Sequence, residues 1–274
     1  LGQMADVARR FGYGETKLRA EQTGKNTQEV NDLALAFNTM ADSLEQSEQR
    51  RQEFIANVSH ELKTPMTTIG GYVDGILDGT IPKDNEKHYL QIVSSEVRRL
   101  SRLVRSMLDL SRLQAQGIDE SRKTRFDLGD VMSDVLITFE QKINARGLQV
   151  SVDLPEKPVW TKADRDAITQ VVYNLLDNAI KFCPVGGNLG LILEQDGQKA
   201  RLRIRNTGQT IPPEELPLLF DRFHKADKAR SADREGWGLG LYIAKTIIGA
   251  HGGEIWATSE NGVTEFTFTL PAVR

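Results

Sequence analysis

The sequence predicts an all-helical front half followed by an α/β sandwich, and three observations carry that expectation. Two stretches set apolar residues at steps of three and four: Ile55, Val58, Leu62, Met66, Ile69, Val73 and Ile76, then Leu90, Val93, Val97, Leu100, Val104 and Met107. The break at Gly79-Thr80-Ile81-Pro82 joins them into an antiparallel helical hairpin. From Arg125 onward helix and strand patterns alternate, with a hairpin turn expected at Asp196-Gly197.

In chain order, residues 1–20 begin as a short helix (Met4, Val7, Ala8, Phe11) that breaks at Gly12 and Gly14. From Asn31 a second helix carries Leu33, Phe37, Met40 and Leu44 in a heptad seam and leads without a breaker into the helix around His60. The hairpin's apolar stripe is too wide to stay solvated, and a homodimer forming a four-helix bundle is the economical way to cover it. Residues 117–124 read as a polar hinge. Beyond it the patterns predict a helix over 128–146, a strand over 148–154 and a helix over 163–182. Strands at 188–195 and 199–206, a helix at 239–250 and strands near 254–258 and 264–270 complete the chain.

Composition narrows the function. The 274 residues allow more than one core, and a net charge of −3 gives no electrostatic case for nucleic acid. The lone Cys183 excludes an intrachain disulfide or a thiolate cluster and suits a reducing compartment. No apolar run approaches the roughly 18 residues of a membrane span, and no signal peptide is present. Because Leu1 opens in mid-helix pattern, the chain is expected to be a fragment of a longer protein.

Three sets of residues carry chemistry. His60 lies two residues past Val58, about 200° round the helix from the apolar stripe, and so points outward. Glu61 follows it, Thr64 sits one turn on, and Pro65 removes an N–H from the ladder. On the 163–182 helix, Asn174 and Asn178 share a face with Lys181, an arrangement able to bind hydrated Mg²⁺ and its phosphates. Gly236-Trp237-Gly238-Leu239-Gly240 opens a helix whose N-terminus favours phosphate, and Phe220-Asp221-Arg222-Phe223-His224-Lys225 is aromatic and basic together. Alone, each set has a plainer reading as a surface histidine, a solvated face or a turn.

Together they resemble a known family. His60-Glu61-Leu62-Lys63-Thr64-Pro65 is similar to the phosphoacceptor motif of bacterial sensor histidine kinases. Asn174-Leu175-Leu176-Asp177-Asn178, Gly236 to Gly240 and the segment between them look like the ATP-binding domain that these kinases share with gyrase, heat-shock and mismatch-repair ATPases, the GHKL (Bergerat) type. The helix–connector–helix of the first 45 residues resembles a HAMP domain, which implies a parent inserted in the membrane just before it and a cytoplasmic location for this portion. The resemblance implies a HAMP-like relay over 1–45, a dimerisation and phosphoacceptor domain over 46–117 and a catalytic domain over 125–274.

It further implies autophosphorylation of His60 from ATP with Mg²⁺, held by Asn178 and Asn174. Glu61 would fix the imidazole tautomer, and the phosphoryl group would pass to an aspartate on a response regulator's receiver domain. Thr64 would position water when the regulator is dephosphorylated. Lys181, Phe182, Gly208, Gly236, Gly238, Leu239 and Gly240 become nucleotide contacts, Phe220 and Phe223 lid anchors, and Arg222 or Lys225 the group reaching the γ-phosphate. The family's Asp-x-Gly-x-Gly reads Asn206-Thr207-Gly208-Gln209-Thr210 here. An amide at 206 either turns over and accepts guanine as well, or is held by its neighbours and reads adenine as an aspartate would. Thr210 stands where the family's second glycine permits positive φ. The alternatives are a catalytically weak nucleotide-binding scaffold and an ATP-hydrolysing machine of the gyrase or chaperone kind; the His60 hairpin argues against the latter.

Overall fold

A computed structural model of the chain describes residues 2–21, 27–116, 119–224 and 237–273. It divides into two compact units, Leu1–Asp74 and Gly75–Arg274.

In the first unit, α1 (Gly2–Gly12) stops where Gly14 takes φ +104°. The connector then packs on α2 (Gln28–Leu77). Phe11 meets Phe37 edge-on at 5.5 Å. The Ala20 backbone exchanges two hydrogen bonds with the Asn38 amide, at 2.7 and 3.0 Å. Arg19 pairs with Asp42 at 2.8 Å and Glu45 at 2.5 Å. Helix α2 starts three residues before the expected Asn31, because the Thr27 carbonyl accepts from Val30 and Asn31 N–H. It then runs on through Pro65, which is buried.

In the second unit, the turn after Leu77 is closed by Ile81 N–H on Gly75 O at 2.7 Å and by Thr80 N–H on Asp78 Oδ1 at 2.9 Å. Helix α3 (Lys83–Gln116) follows, with Asp84 and Glu86 in its first turn, where the helix dipole favours acids. The α/β part comprises β1 (Lys123–Asp127), α4 (Leu128–Thr138), α5 (Glu140–Arg146), β2 (Gln149–Asp153), β3 (Trp160–Asp164), α6 (Arg165–Phe182), β4 (Asn188–Asp196), β5 (Lys199–Thr207), α7 (Gly240–Ala250), β6 (Ile255–Glu260) and β7 (Val263–Pro271). Five strands form one sheet in the order β2-β4-β5-β7-β6, parallel only between β2 and β4, and β1 pairs antiparallel with β3. Alternation along the strands sends Leu189, Leu191, Leu193, Leu202, Ile204, Phe266 and Phe268 to the core. Helices α6 and α7 bury Val171, Val172, Leu175, Leu176, Ile243 and Ile247 in the same core. The other sheet face is ionic: Glu194 takes Arg201 at 3.1 Å and Arg203 at 2.8 Å, and Arg205 pairs with Glu265.

Three expectations need correction. The 128–146 helix is two helices, broken at Phe139 (φ −98°, ψ 1°), whose ring is buried against Tyr173 at 4.7 Å. Strands β1 and β3 fall where none is expected, and β1 takes Lys123 and Thr124 out of the presumed hinge. Of that hinge, Gly117 and Ile118 lie outside the described residues.

His251 ties α7 to the start of α6. It is 7% exposed; Nδ1–H donates to Ile247 O at 2.8 Å, and Nε2 accepts from Asp164 N–H at 3.0 Å. Only the neutral ring can do both. Burial lowers its pKa below the ordinary 6.5; the Ile247 hydrogen bond and the charges of Asp164 and Glu120 raise it, and that of Lys123 lowers it further. With the folded-state pKa depressed, the unfolded chain binds the extra proton first. The stabilisation is therefore complete above about pH 6.5 and is lost as pH falls through the lowered folded-state value. Urea unfolding of the α/β part is expected to show wild type losing more stability between pH 7.5 and 5 than His251→Ala does. At pH 7.5 the substitution itself should cost about 1–3 kcal/mol, the cost of an unpaired buried N–H.

Candidate functional site

One cavity of about 980 Å³ opens beside α6. The helix is seated by its apolar side and capped by Asp164, whose Oδ1 accepts from Asp166 N–H at 3.0 Å and Ala167 N–H at 3.2 Å. That seating turns Asn174, Asp177, Asn178, Lys181 and Phe182 toward the cavity. Asn206 near the end of β5, Gly208 and Thr210 just after it, Trp237 and Gly238 ahead of α7, Gly240 as its first residue, and Thr264 and Phe266 of β7 also line it.

Short contacts hold these pieces. Asn174 Nδ2–H donates to Gly240 O at 3.1 Å, joining α6 to the first residue of α7. Asp177 is paired with Lys142 at 2.8 Å, whereas the Asn178 side chain makes no hydrogen bond to the described residues. Asn206 is 3% exposed, and its Nδ2–H donates to Thr207 O at 3.0 Å. This fixes which end of the amide is the acceptor. Thr210 is not among the positive-φ residues and instead accepts Gly262 N–H at 3.0 Å. At Gly238 (φ +68°) a Cβ would stand 2.7 Å from His224 O.

Of the residues expected at the site, Asn174, Asn178, Lys181, Phe182, Asn206, Gly208, Gly238 and Gly240 line this cavity. Four others do not. Phe220 is 4% exposed and meets Phe266 edge-on at 6.4 Å, in the core. Arg222 lies 4.6 Å over the Tyr242 ring and donates to its hydroxyl at 2.6 Å. Phe223 takes φ +59° with its N–H on Gly238 O at 3.0 Å, and Leu239 is 2% exposed. Lys225 and Gly236 lie outside the described residues. Sequence reasoning missed Arg146, Glu215, His224 and Trp237, which also line the cavity. His224 and Trp237 sat inside motifs already singled out; Arg146 and Glu215 have no local signal.

In the other unit, the His60 side chain is 80% exposed. Its Nδ1 is 3.9 Å from Glu61 Oε1, an ion-pair distance too long for a hydrogen bond, because consecutive helical residues diverge by about 100°. Thr64 Oγ1 donates to His60 O at 3.4 Å. Among the described residues no cluster of three or more His, Cys, Asp or Glu is set to hold a metal. A magnesium ion carried in by phosphates needs few protein oxygens, and the unengaged carboxamide of Asn178, with the Asn174 oxygen a turn away, fits that demand.

Residues 163–274 match the family described as Histidine kinase-, DNA gyrase B-, and HSP90-like ATPase, and residues 50–116 match the His Kinase A (phospho-acceptor) domain. Sensor protein SrrB of Staphylococcus aureus is 38% identical over 226 residues, 82% of this chain but 38% of that protein. The chain thus spans well under half the length of the curated relatives it matches. Acinetobacter baumannii histidine kinase AdeS is 30% identical, with a TM-score of 0.64 over 78% of this chain and 98% of that one. Histidine kinase ThkA, solved in complex with response regulator protein TrrA, is 27% identical, with a TM-score of 0.66 over 84% of this chain and 66% of that one.

Gly238→Ala tests how tightly the loop is built. The methyl meets the backbone of Phe223 and His224 and a φ that L-residues avoid, so the 223–224 segment must move. A loss of about 1–3 kcal/mol in the stability of the α/β part is expected by urea unfolding. Gly252→Ala, also at positive φ (+72°) but with open space around its Cβ, should cost less.

Proposed function

This chain belongs to the two-component sensor histidine kinases, and from that premise we propose that it moves the γ-phosphoryl group of ATP to His60 and on to an aspartate of a response regulator. One observation carries the reading: the polar edge of α6, with Asn174, Asn178 and Lys181, lines a cavity at whose rim a glycine loop opens α7. Amides, an ammonium and a helix N-terminus are what a metal-bound triphosphate requires.

In the proposed reaction His60 Nε2 attacks the γ-phosphorus in line. The N–P bond forms, the bond to the bridging oxygen of ADP breaks, and the Nδ1 proton stands on the side of Glu61, which stabilises the charged ring. Exposure of His60 supports this role, since an attacking imidazole must be reachable. Magnesium, where bound, would neutralise phosphate charge, with Asn178 as ligand and Asn174 in support. Lys181 would contact phosphate, and Phe182 would pack beside the base. Asn206 would offer its oxygen to the amino group of adenine; the hold of Thr207 O on Nδ2 favours the second of the two readings open to sequence. Guanine would bring its O6 against that acceptor.

Thr64 Oγ1 donates to the helix and keeps lone pairs for a water in the reverse, phosphatase role. The receiver domain of a regulator is the proposed partner, and a second copy would cover apolar residues exposed along the helices, such as Met66, Leu90 and Val104. Residues 1–45 would act as the HAMP-like relay, 46–117 as the dimerising phosphoacceptor domain and 125–274 as the catalytic domain of a membrane-inserted sensor, this portion lying on the cytoplasmic side.

Incubation with Mg²⁺ and γ-labelled ATP is expected to give an acid-labile, alkali-stable label that a large excess of GTP does not reduce. His60→Gln should abolish it while nucleotide binding persists. Label surviving in His60→Gln, or phosphate release with no labelled protein, would contradict the proposal.

A further inference from the structure

Two buried nitrogens beside the glycine loop have no hydrogen-bond partner among the described residues. Trp237 is 7% exposed and lines the cavity, yet its Nε1–H, which can only donate, has no partner. His224 lines the same cavity, and its Nε2 is likewise buried without a partner. Buried polar groups are almost always paired, and those that are not call for an explanation.

The backbone sets these two side chains either side of one residue. Phe223 holds a left-handed φ of +59°, uncommon for an aromatic residue, while its N–H bonds Gly238 O at 3.0 Å. Gly238 in turn leaves no room for a Cβ against His224 O. His224 and Trp237 therefore flank Gly238, next to the start of the 11-residue helix α7, whose first N–H groups carry positive potential. The Arg99 guanidinium of α3, which also pairs with Glu96 at 3.4 Å, stands 4.1 Å from the centroid of the indole and holds the ring in place. A lone carboxylate oxygen, Glu215 Oε2, is also buried without a partner at this cavity. A ligand offering both acceptors and hydroxyl donors meets all three demands, and a nucleotide has phosphate oxygens and ribose hydroxyls.

We propose that Trp237 Nε1–H and His224 Nε2–H are phosphate-binding donors, holding the phosphate chain of the nucleotide together with the N-terminus of α7. The inference rests on the nucleotide-binding reading above and deepens it. Trp237→Phe isolates the contact, because the ring that Arg99 stacks on remains and only the N–H is removed. His224→Ala does the same for the imidazole, and His224→Asn restores a donor. Equilibrium titrations of the full chain with ATP, ADP and adenosine provide the test. Trp237→Phe and His224→Ala should each bind ATP and ADP about tenfold more weakly, the low end for a hydrogen bond to a charged group. Adenosine affinity should not change, and His224→Asn should recover part of the loss. ATP affinity unchanged in both variants would overturn the inference, as would an equal loss for adenosine, which would mark a collapsed pocket. Wild type binding none of the three ligands would overturn the nucleotide reading, and this inference with it.

Discussion

The α/β unit depends on one helix being held by its apolar side so that its polar side has no choice of direction. Each fully buried Val, Leu or Ile contributes about 1.5–3 kcal/mol, and α6 buries Ile168, Val171, Val172, Leu175, Leu176 and Ile180 against the sheet and α7. Rotating the helix by even one residue, about 100°, would expose several of these. The penalty for doing so far exceeds anything the polar side gains from its own contacts. Asn174, Asn178 and Lys181 therefore face the cavity because the opposite side of the helix is buried.

Helix α7 is fastened to α6 at both of its ends, which makes the glycine loop a consequence of the core. Asn174 takes the carbonyl of Gly240 where α7 begins, and His251, where α7 ends, accepts the N–H of Asp164 just ahead of α6. The two helices run antiparallel between these ties. The loop at Gly238 is fixed in turn, because its missing Cβ lets the 223–224 backbone close on it. A chain of contacts leads from the buried leucines to the backbone N–H groups at the mouth of the cavity.

Much of this was legible in the sequence, for identifiable reasons. The 3.6-residue period of α6 and α7 and the alternation of β4 and β5 are strong because one side of each is wholly buried. Strands β1 and β3 were not legible: Lys123-Thr124-Arg125-Phe126-Asp127 and Trp160-Thr161-Lys162-Ala163-Asp164 form a small two-stranded sheet outside the main one and mix charge with apolar residues. The break at Phe139 is tertiary, set by the pocket its ring fills beside Tyr173. At the site, helical spacing fixes which way Asn174, Asn178 and Lys181 point, and all three line the cavity. No such rule governs the irregular segment. Phe220 and Arg222 carry the same chemistry whether they face the core, Tyr242 or the cavity, and no periodicity chooses among these. Asn206 shows the same limit: its identity was plain, but the direction of its amide is set by the carbonyl of Thr207.

The account's central claim is that the polar edge of α6 and the loop before α7 together form one nucleotide site. Backbone amide resonances recorded while a non-hydrolysable ATP analogue is added with Mg²⁺ test this most directly. The account predicts shifts concentrated at Asn174, Asn178, Lys181, Asn206 to Gly208 and Gly238 to Gly240, with the ionic face of β5 at Arg201 and Arg203 unmoved. Saturable shifts confined to the β5 face, or none at the α6 edge under conditions where the analogue binds, would contradict it.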